Sequence, residues 1–143
     1  MRSTATTIPT PFDPITLEIL WGRLGSIVDE AATGFVRTSF SSLVREANDY
    51  AVVLTDAHGL SLSQSSFSIP SFISTLPRTV RHMLARFPLE TLKPGDLLIT
   101  NDPWLATGHI HDVSTVAPIF DGNRVIAFSA VTSHVPDIGG RIR

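Results

Sequence analysis

Three of the five histidines in this chain of 143 residues fall in one stretch, from Asn101 to Gly140. His109, His111 and Asp112 share a turn-like segment, and His134 follows a strand-like run. Neutral imidazole and carboxylate oxygen are donors that a hard-to-borderline divalent cation accepts, and a small set of them leaves positions for water or substrate. His109 and Asp112 are three apart, so a strand would send them to opposite faces, whereas a turn lets them converge. His111, adjacent to Asp112, is expected to point elsewhere and to serve the substrate or support the ligands. Gly108 leaves room for the backbone beside His109 to approach a ligand. Asp137, in Pro136-Asp137-Ile138-Gly139-Gly140, either supports the set or only shapes a turn. The competing reading of the same residues is loop histidines and turn-forming aspartates.

The elements around these residues decide whether they meet. Val113 to Phe120 reads as a strand, Asp121-Gly122-Asn123 as a tight turn, and Arg124 to Thr132 as the returning strand. That hairpin brings Ser133-His134 back beside Asp112-Val113, although His134 lies 22 residues after Asp112. His109, Asp112 and His134 are therefore the predicted ligand set.

Further upstream, Leu97 to Thr100 is expected as a short strand buried on both faces, after a turn at Lys93-Pro94-Gly95-Asp96. Tyr50 to Leu62 reads as a second hairpin, with His58 exposed in its turn. Asp13-Pro14 looks like an N-cap and first helical residue. The apolar spacing from Ile15 to Phe35 continues that helix to about Arg37, and Gly22, Gly25 and Gly34 are expected to permit close packing. A second helix is expected over Leu76 to Phe87, with Pro77 in its first turn and His82 structural. Arg45, Glu46, Asn48 and Asp49 read as a solvated charged loop, with the lining of a site as the alternative. Residues 1–12, rich in Thr and Pro, read as a flexible arm. The class is α+β, helices packed on a mostly antiparallel sheet.

Composition narrows the function. A hydrophobic share of 43% supports one modest core, and a net charge of -2 gives no basic field for nucleic acid. The absence of cysteine excludes disulfides, thiolate zinc sites and a cysteine nucleophile, and fits a cytoplasmic protein. No apolar run is long enough to span a bilayer, so no membrane partner is expected. The serine-rich stretch from Ser63 to Ser74 lacks the G-x-S-x-G context of an activated serine. No G-x-x-x-x-G-K-[ST] loop is present to cradle a nucleotide.

Several motifs also resemble one known family. DPITLEILWGRLGSIVDEAATGFVRTSF, DYAVVLTDAHGLSLSQ, LKPGDLLITNDPWLATGHIHD and SHVPDIGG are similar, in the same order, to the hydantoinase B/oxoprolinase family. That family includes N-methylhydantoinase B subunits and the acetone carboxylase alpha subunit. The resemblance spans nearly all of residues 13–140 and implies the N-terminal portion of a larger hydantoinase B-like fold, residues 13–143. Family members are several times longer, so an N-terminal fragment or truncated reading frame is expected.

The resemblance implies that His109, Asp112 and His134 hold a divalent metal, manganese in acetone carboxylase-like members; zinc and iron suit the same donors. It implies ATP-dependent chemistry on a small cyclic amide or ketone. A hydantoinase A-type partner subunit would carry the ATP site and phosphorylate the substrate oxygen, making a hetero-oligomer. The expected function is thus that of a B-type hydrolase subunit, with metal-assisted opening of a cyclic amide. The alternatives are the alpha-type subunit of an ATP-dependent ketone carboxylase and a non-catalytic remnant or assembly module. Two positions depart from the family pattern: His111 stands where many members carry Pro, and Val135 where many carry an aromatic or a second His. Both bear on substrate preference.

Overall fold

The computed structural model describes residues 12–139, so the expected arm over residues 1–12 lies outside the described residues except for Phe12. In chain order the elements are α1 (Pro14–Thr38), α2 (Ser42–Ala47), β1 (Tyr50–Asp56), β2 (Ser61–Gln64), α3 (Pro70–Arg86), β3 (Leu98–Thr100), β4 (Asp112–Asp121) and β5 (Arg124–His134). The strands form one sheet in the order β2-β1-β5-β4-β3, and every neighbouring pair is antiparallel. Helices on an antiparallel sheet are the α+β arrangement that the patterning predicts.

Period-two alternation sorts the strand residues between two cores. Ala51, Val53, Val116, Phe128 and Ala130 pack with Phe72, Leu76, Val80 and Met83 of α3. Tyr50 and Val52, of opposite parity on β1, pack with Val28 and Ala32 of α1 and Val44 of α2. The sheet is therefore a middle layer with α3 on one face and α1 and α2 on the other. The β4–β5 hairpin turns at Gly122, whose φ of 59° is in the left-handed region that glycine adopts without strain. Its register runs from Asp121 opposite Arg124 to Asp112 opposite His134, with one irregularity between Ile119 and Phe120.

Four local expectations are corrected. The strand at Leu97 to Thr100 is not buried on both faces: β3 is the outer strand beside β4, and Leu97 and Ile99 are 60% and 66% exposed. A continuous apolar run matches a doubly covered strand, but here only Leu98 packs against the core, and the side that carries Leu97 and Ile99 stays open among the described residues. The second helix starts at Pro70, so Pro77 lies inside α3 rather than in its first turn. Lacking an N–H, Pro77 leaves the carbonyl one turn back without its helical donor, a cost the Phe72, Leu76 and Val80 contacts offset. The glycines of α1 do not serve close packing, since a Cβ at Gly22, Gly25 or Gly34 would meet nothing within 4 Å. Finally, the segment read as a loop around Arg45 contains the helix α2. It ends at Asn48, in the left-handed region at φ 52°.

Candidate metal centre

Toward one end of the β4–β5 hairpin, the face turned to α3 changes from apolar to ionisable in three steps. Val116 lies opposite Ala130, then Ser114 opposite Thr132, then Asp112 opposite His134. The Ser114 and Thr132 hydroxyls share a buried hydrogen bond of 2.6 Å. Asp112, 3% exposed, cannot sit there without partners. Thr107 Oγ1 donates to its Oδ2 at 2.6 Å, and His134 Nδ1 lies 3.0 Å from its Oδ1. His109 Nδ1 approaches the same Oδ1 at 3.5 Å.

His109 reaches Asp112 because the chain turns between them. The Asp112 N–H donates to the His109 carbonyl at 3.2 Å, and Gly108 supplies a φ of 92° just before. Gly108 has open space around it, so its conformational freedom is what the turn uses. The loop is tethered from α3: His82 Nδ1 bonds to the Leu105 carbonyl at 2.9 Å, and Arg78 donates to the Trp104 carbonyl at 3.4 Å. His82 is thus structural, as expected, and His58 is exposed in the β1–β2 turn.

One nitrogen or carboxylate oxygen from each of His109, Asp112 and His134 lies within 4.8 Å of the others. The three predicted ligands are therefore brought together. Two imidazole nitrogens and a carboxylate oxygen at that spacing fit a manganese, iron or zinc ion, with positions left for other groups. A further carboxylate, Asp49, absent from the predicted ligand set, belongs to the segment for which a solvated loop is expected ahead of the lining of a site. Its Oδ2 lies 3.9 Å from His134 Nδ1, and its carbonyl accepts the His134 N–H at 3.1 Å. Asp49, His134 and Asp112 thus stand in a row across β1, β5 and β4. The available signal was parity, because Asp49 precedes a strand whose odd-numbered residues face α3.

His111 departs from expectation in position. Although adjacent to Asp112, its ring centroid lies 5.0 Å from that of His109 and 5.8 Å from that of His134. The His109 and His134 rings stack at 4.9 Å. His111 is fixed to β5 by its carbonyl, which accepts the Val135 N–H at 2.9 Å. Its Nδ1 is buried without a hydrogen-bond partner among the described residues, a condition that costs on the order of 1–3 kcal/mol. Asp137 is exposed and accepts the Gly139 N–H at 2.8 Å, the geometry of a turn residue.

A family model described as hydantoinase B/oxoprolinase matches residues 13–143. The chain belongs to this family. It is 32% identical over 129 residues to a protein provisionally named as the B component of a D-/L-hydantoinase from Pseudomonas sp. (strain NS671), covering 89% of this chain and 22% of that protein. It is 29% identical over 128 residues to 5-oxoprolinase 1 of Arabidopsis thaliana, covering 90% of this chain and 10% of the relative. The chain therefore spans between a tenth and a quarter of the length of these relatives.

Among solved structures, an ATP-dependent caprolactamase from Pseudomonas jessenii superposes with a TM-score of 0.76 at 26% identity, over 93% of this chain and 23% of that one. A nucleotide-free acetone carboxylase superposes with a TM-score of 0.77 at 24% identity, over 87% of this chain and 16% of that one. At that identity the acetone carboxylase match speaks for the fold alone. In both, this arrangement of helices and antiparallel sheet forms one part of a longer chain. Among the described residues no helix is long and apolar enough to cross a membrane.

Proposed function

We propose that this chain contributes the metal-holding half-site of a B-type subunit in an ATP-dependent cyclic-amide hydrolase. The observation that carries the reading is the convergence of His109, Asp112 and His134 within 4.8 Å of one another at the end of one hairpin. The substrate class follows from the relatives' names. Hydantoin, 5-oxoproline and caprolactam each contain an amide within a ring, and hydrolysis of that amide opens the ring. The same donor set would serve ketone carboxylation, but the hydantoinase, oxoprolinase and caprolactamase relatives carry cyclic-amide names, each at higher identity than the acetone carboxylase. Two of the solved relatives are titled ATP-dependent. In this reading the nucleotide belongs on an A-type partner, and the assembly is a cytoplasmic hetero-oligomer.

A divalent cation bound here would polarise a carbonyl oxygen or make a water more acidic. His109 and His134 offer it imidazole nitrogens, and Asp112 offers the oxygen that both imidazoles already approach. Thr107 holds the other Asp112 oxygen and so fixes the plane of the carboxylate. Asp49 stands on the far side of His134 as a further oxygen donor, and Asp137 stays outside as a turn residue. The α3 tethers at His82 and Arg78 keep the His109 loop over the sheet end while substrate exchanges.

The test is elemental analysis of the purified protein beside His109→Ala, Asp112→Ala, His134→Ala and His111→Ala. Each of the first three is expected to lose most of its manganese, zinc or iron, while His111→Ala keeps it. Stoichiometric metal in folded His134→Ala would show that the third ligand is another residue.

A further inference from the structure

A cavity of about 220 Å³ lies at the same end of the sheet, lined by Asn101, Ile110, His111, Val113, Val135 and Ile138. Four of these are the immediate chain neighbours of the proposed ligands: Ile110 and His111 lie between His109 and Asp112, Val113 follows Asp112, and Val135 follows His134. Cavity and donor cluster therefore share two segments, 109–113 and 134–138, and Asn101 adds a third piece to the cavity alone. His111 belongs to both, lining the cavity while its ring sits 5.0 Å from that of His109.

We infer that this cavity is the recognition subsite for the substrate's ring amide, and that His111 is the residue that reads it. The inference rests on the hydrolase reading above and supplies its specificity determinant. Small-molecule sites pair branched aliphatic walls with a few directed polar groups, and Ile110, Val113, Val135 and Ile138 are such walls for ring methylenes. The polar groups are complementary to an amide. Asn101 Nδ2 already donates to the Ile110 carbonyl at 3.2 Å, which orients the carboxamide and leaves Oδ1 to accept an N–H. The His111 imidazole borders the cavity; its Nδ1 is buried, and its Nε2, which takes no partner among the described residues, is the nitrogen left to bond an amide oxygen.

The test titrates 2-pyrrolidone, a bare ring amide, into the isotope-labelled chain in metal-free and zinc-loaded forms. The backbone amides of Val113, Val135 and Ile138 are followed by NMR, with zinc content measured in parallel. Saturable shifts confined to these residues are expected, weakened at least ~10-fold in His111→Phe, which keeps the ring volume, and partly restored in His111→Asn. Asn101→Ala should weaken binding independently, and N-methyl-2-pyrrolidone, which lacks the N–H, should bind less well. Unchanged binding in His111→Phe, or no saturable shift in either form of the unmodified chain, overturns the inference. Loss of zinc in His111→Phe also overturns it, because His111 would then belong to the ion-holding set. If the unmodified chain takes the lactam but never zinc, the hydrolase reading fails while the subsite stands.

Discussion

Asp112 is the residue through which the other site groups meet, and its demands explain the chemistry around it. A buried carboxylate needs several donors, and Thr107, His134 and His109 all approach it at hydrogen-bonding or near-bonding distance. His109, Asp112 and His134 were legible in the sequence because hairpin pairing is local: a tight turn at Gly122 fixes which residues face each other across it. Asp49 was not legible, because its approach to His134 depends on β1 pairing with β5, some eighty residues away in the chain, and on the cap at Asn48. The nearness of His111 was hidden for another reason. Strand parity sends adjacent residues apart, but His111 belongs to the turn before β4, where parity does not apply. A further residue-scale consequence concerns Tyr50, buried between Val28, Ala32 and Val44 and tilted against Phe35 at 5.6 Å. Burial, with help from the charge of Asp29, pushes its phenol above the usual value near 10. Since the folded value is the higher one, this stabilisation is complete below the unfolded value and fades as pH rises through the folded one. Tyr50 is the single tyrosine. Phenolate absorbance should therefore titrate above the ordinary value in folded protein and return to it in urea, with thermal stability falling over the same alkaline range. Titration at the ordinary value in folded protein would show that the ring is solvated.

At the scale of elements, α3 is the part that ties the site to the core. Its apolar side packs on the sheet through Leu76 and Val80, both fully buried, while His82 and Arg78 hold the loop that carries Thr107 and His109. The same helix locks the β1–β2 turn, since Arg81 Nη1 donates to the Gly59 carbonyl at 2.9 Å. Gly59 has φ +77°, and a Cβ there would meet Arg81 Cγ at 2.8 Å and Val80 Cγ1 at 3.2 Å. Gly59→Ala is therefore expected to destabilise the chain by about 1–3 kcal/mol, from the left-handed conformation and the crowding together. Urea denaturation read by circular dichroism measures it, and a loss below about 0.5 kcal/mol would mean that the turn relaxes freely. The Gly in this turn was readable from Asp56-Ala57-His58-Gly59. The start of α3 was not: the apolar spacing reads from Leu76, whereas the helix opens at Pro70, within the serine-rich stretch.

For the molecule as a whole, the informative surface is what the two cores leave uncovered. Only Val28 and Ala32 of α1 are buried, although the helix carries an apolar stripe along its length. Ile15, Leu17, Ile19, Trp21 and Ile27 are all about half exposed or more. Apolar periodicity therefore located the helix correctly, yet could not tell which part of the stripe this layer of sheet would cover. Ile99 adds an exposed apolar side chain on β3, the outer strand, where unpaired backbone groups offer a template for another chain. Contiguous apolar surface of this kind marks interfaces in soluble proteins and drives association when it has no partner. The 143-residue chain is thus expected to self-associate with rising concentration. Replacing Ile15 and Trp21 by Glu should shift sedimentation toward monomer without loss of helical signal, since neither side chain supports the described cores. Analytical ultracentrifugation distinguishes the outcomes. A single monomeric species up to about 100 μM, inside the micromolar-to-millimolar range in which exposed apolar surface drives aggregation, would mean that this surface is tolerated in water. The association would then have to be sought in a partner rather than in a second copy.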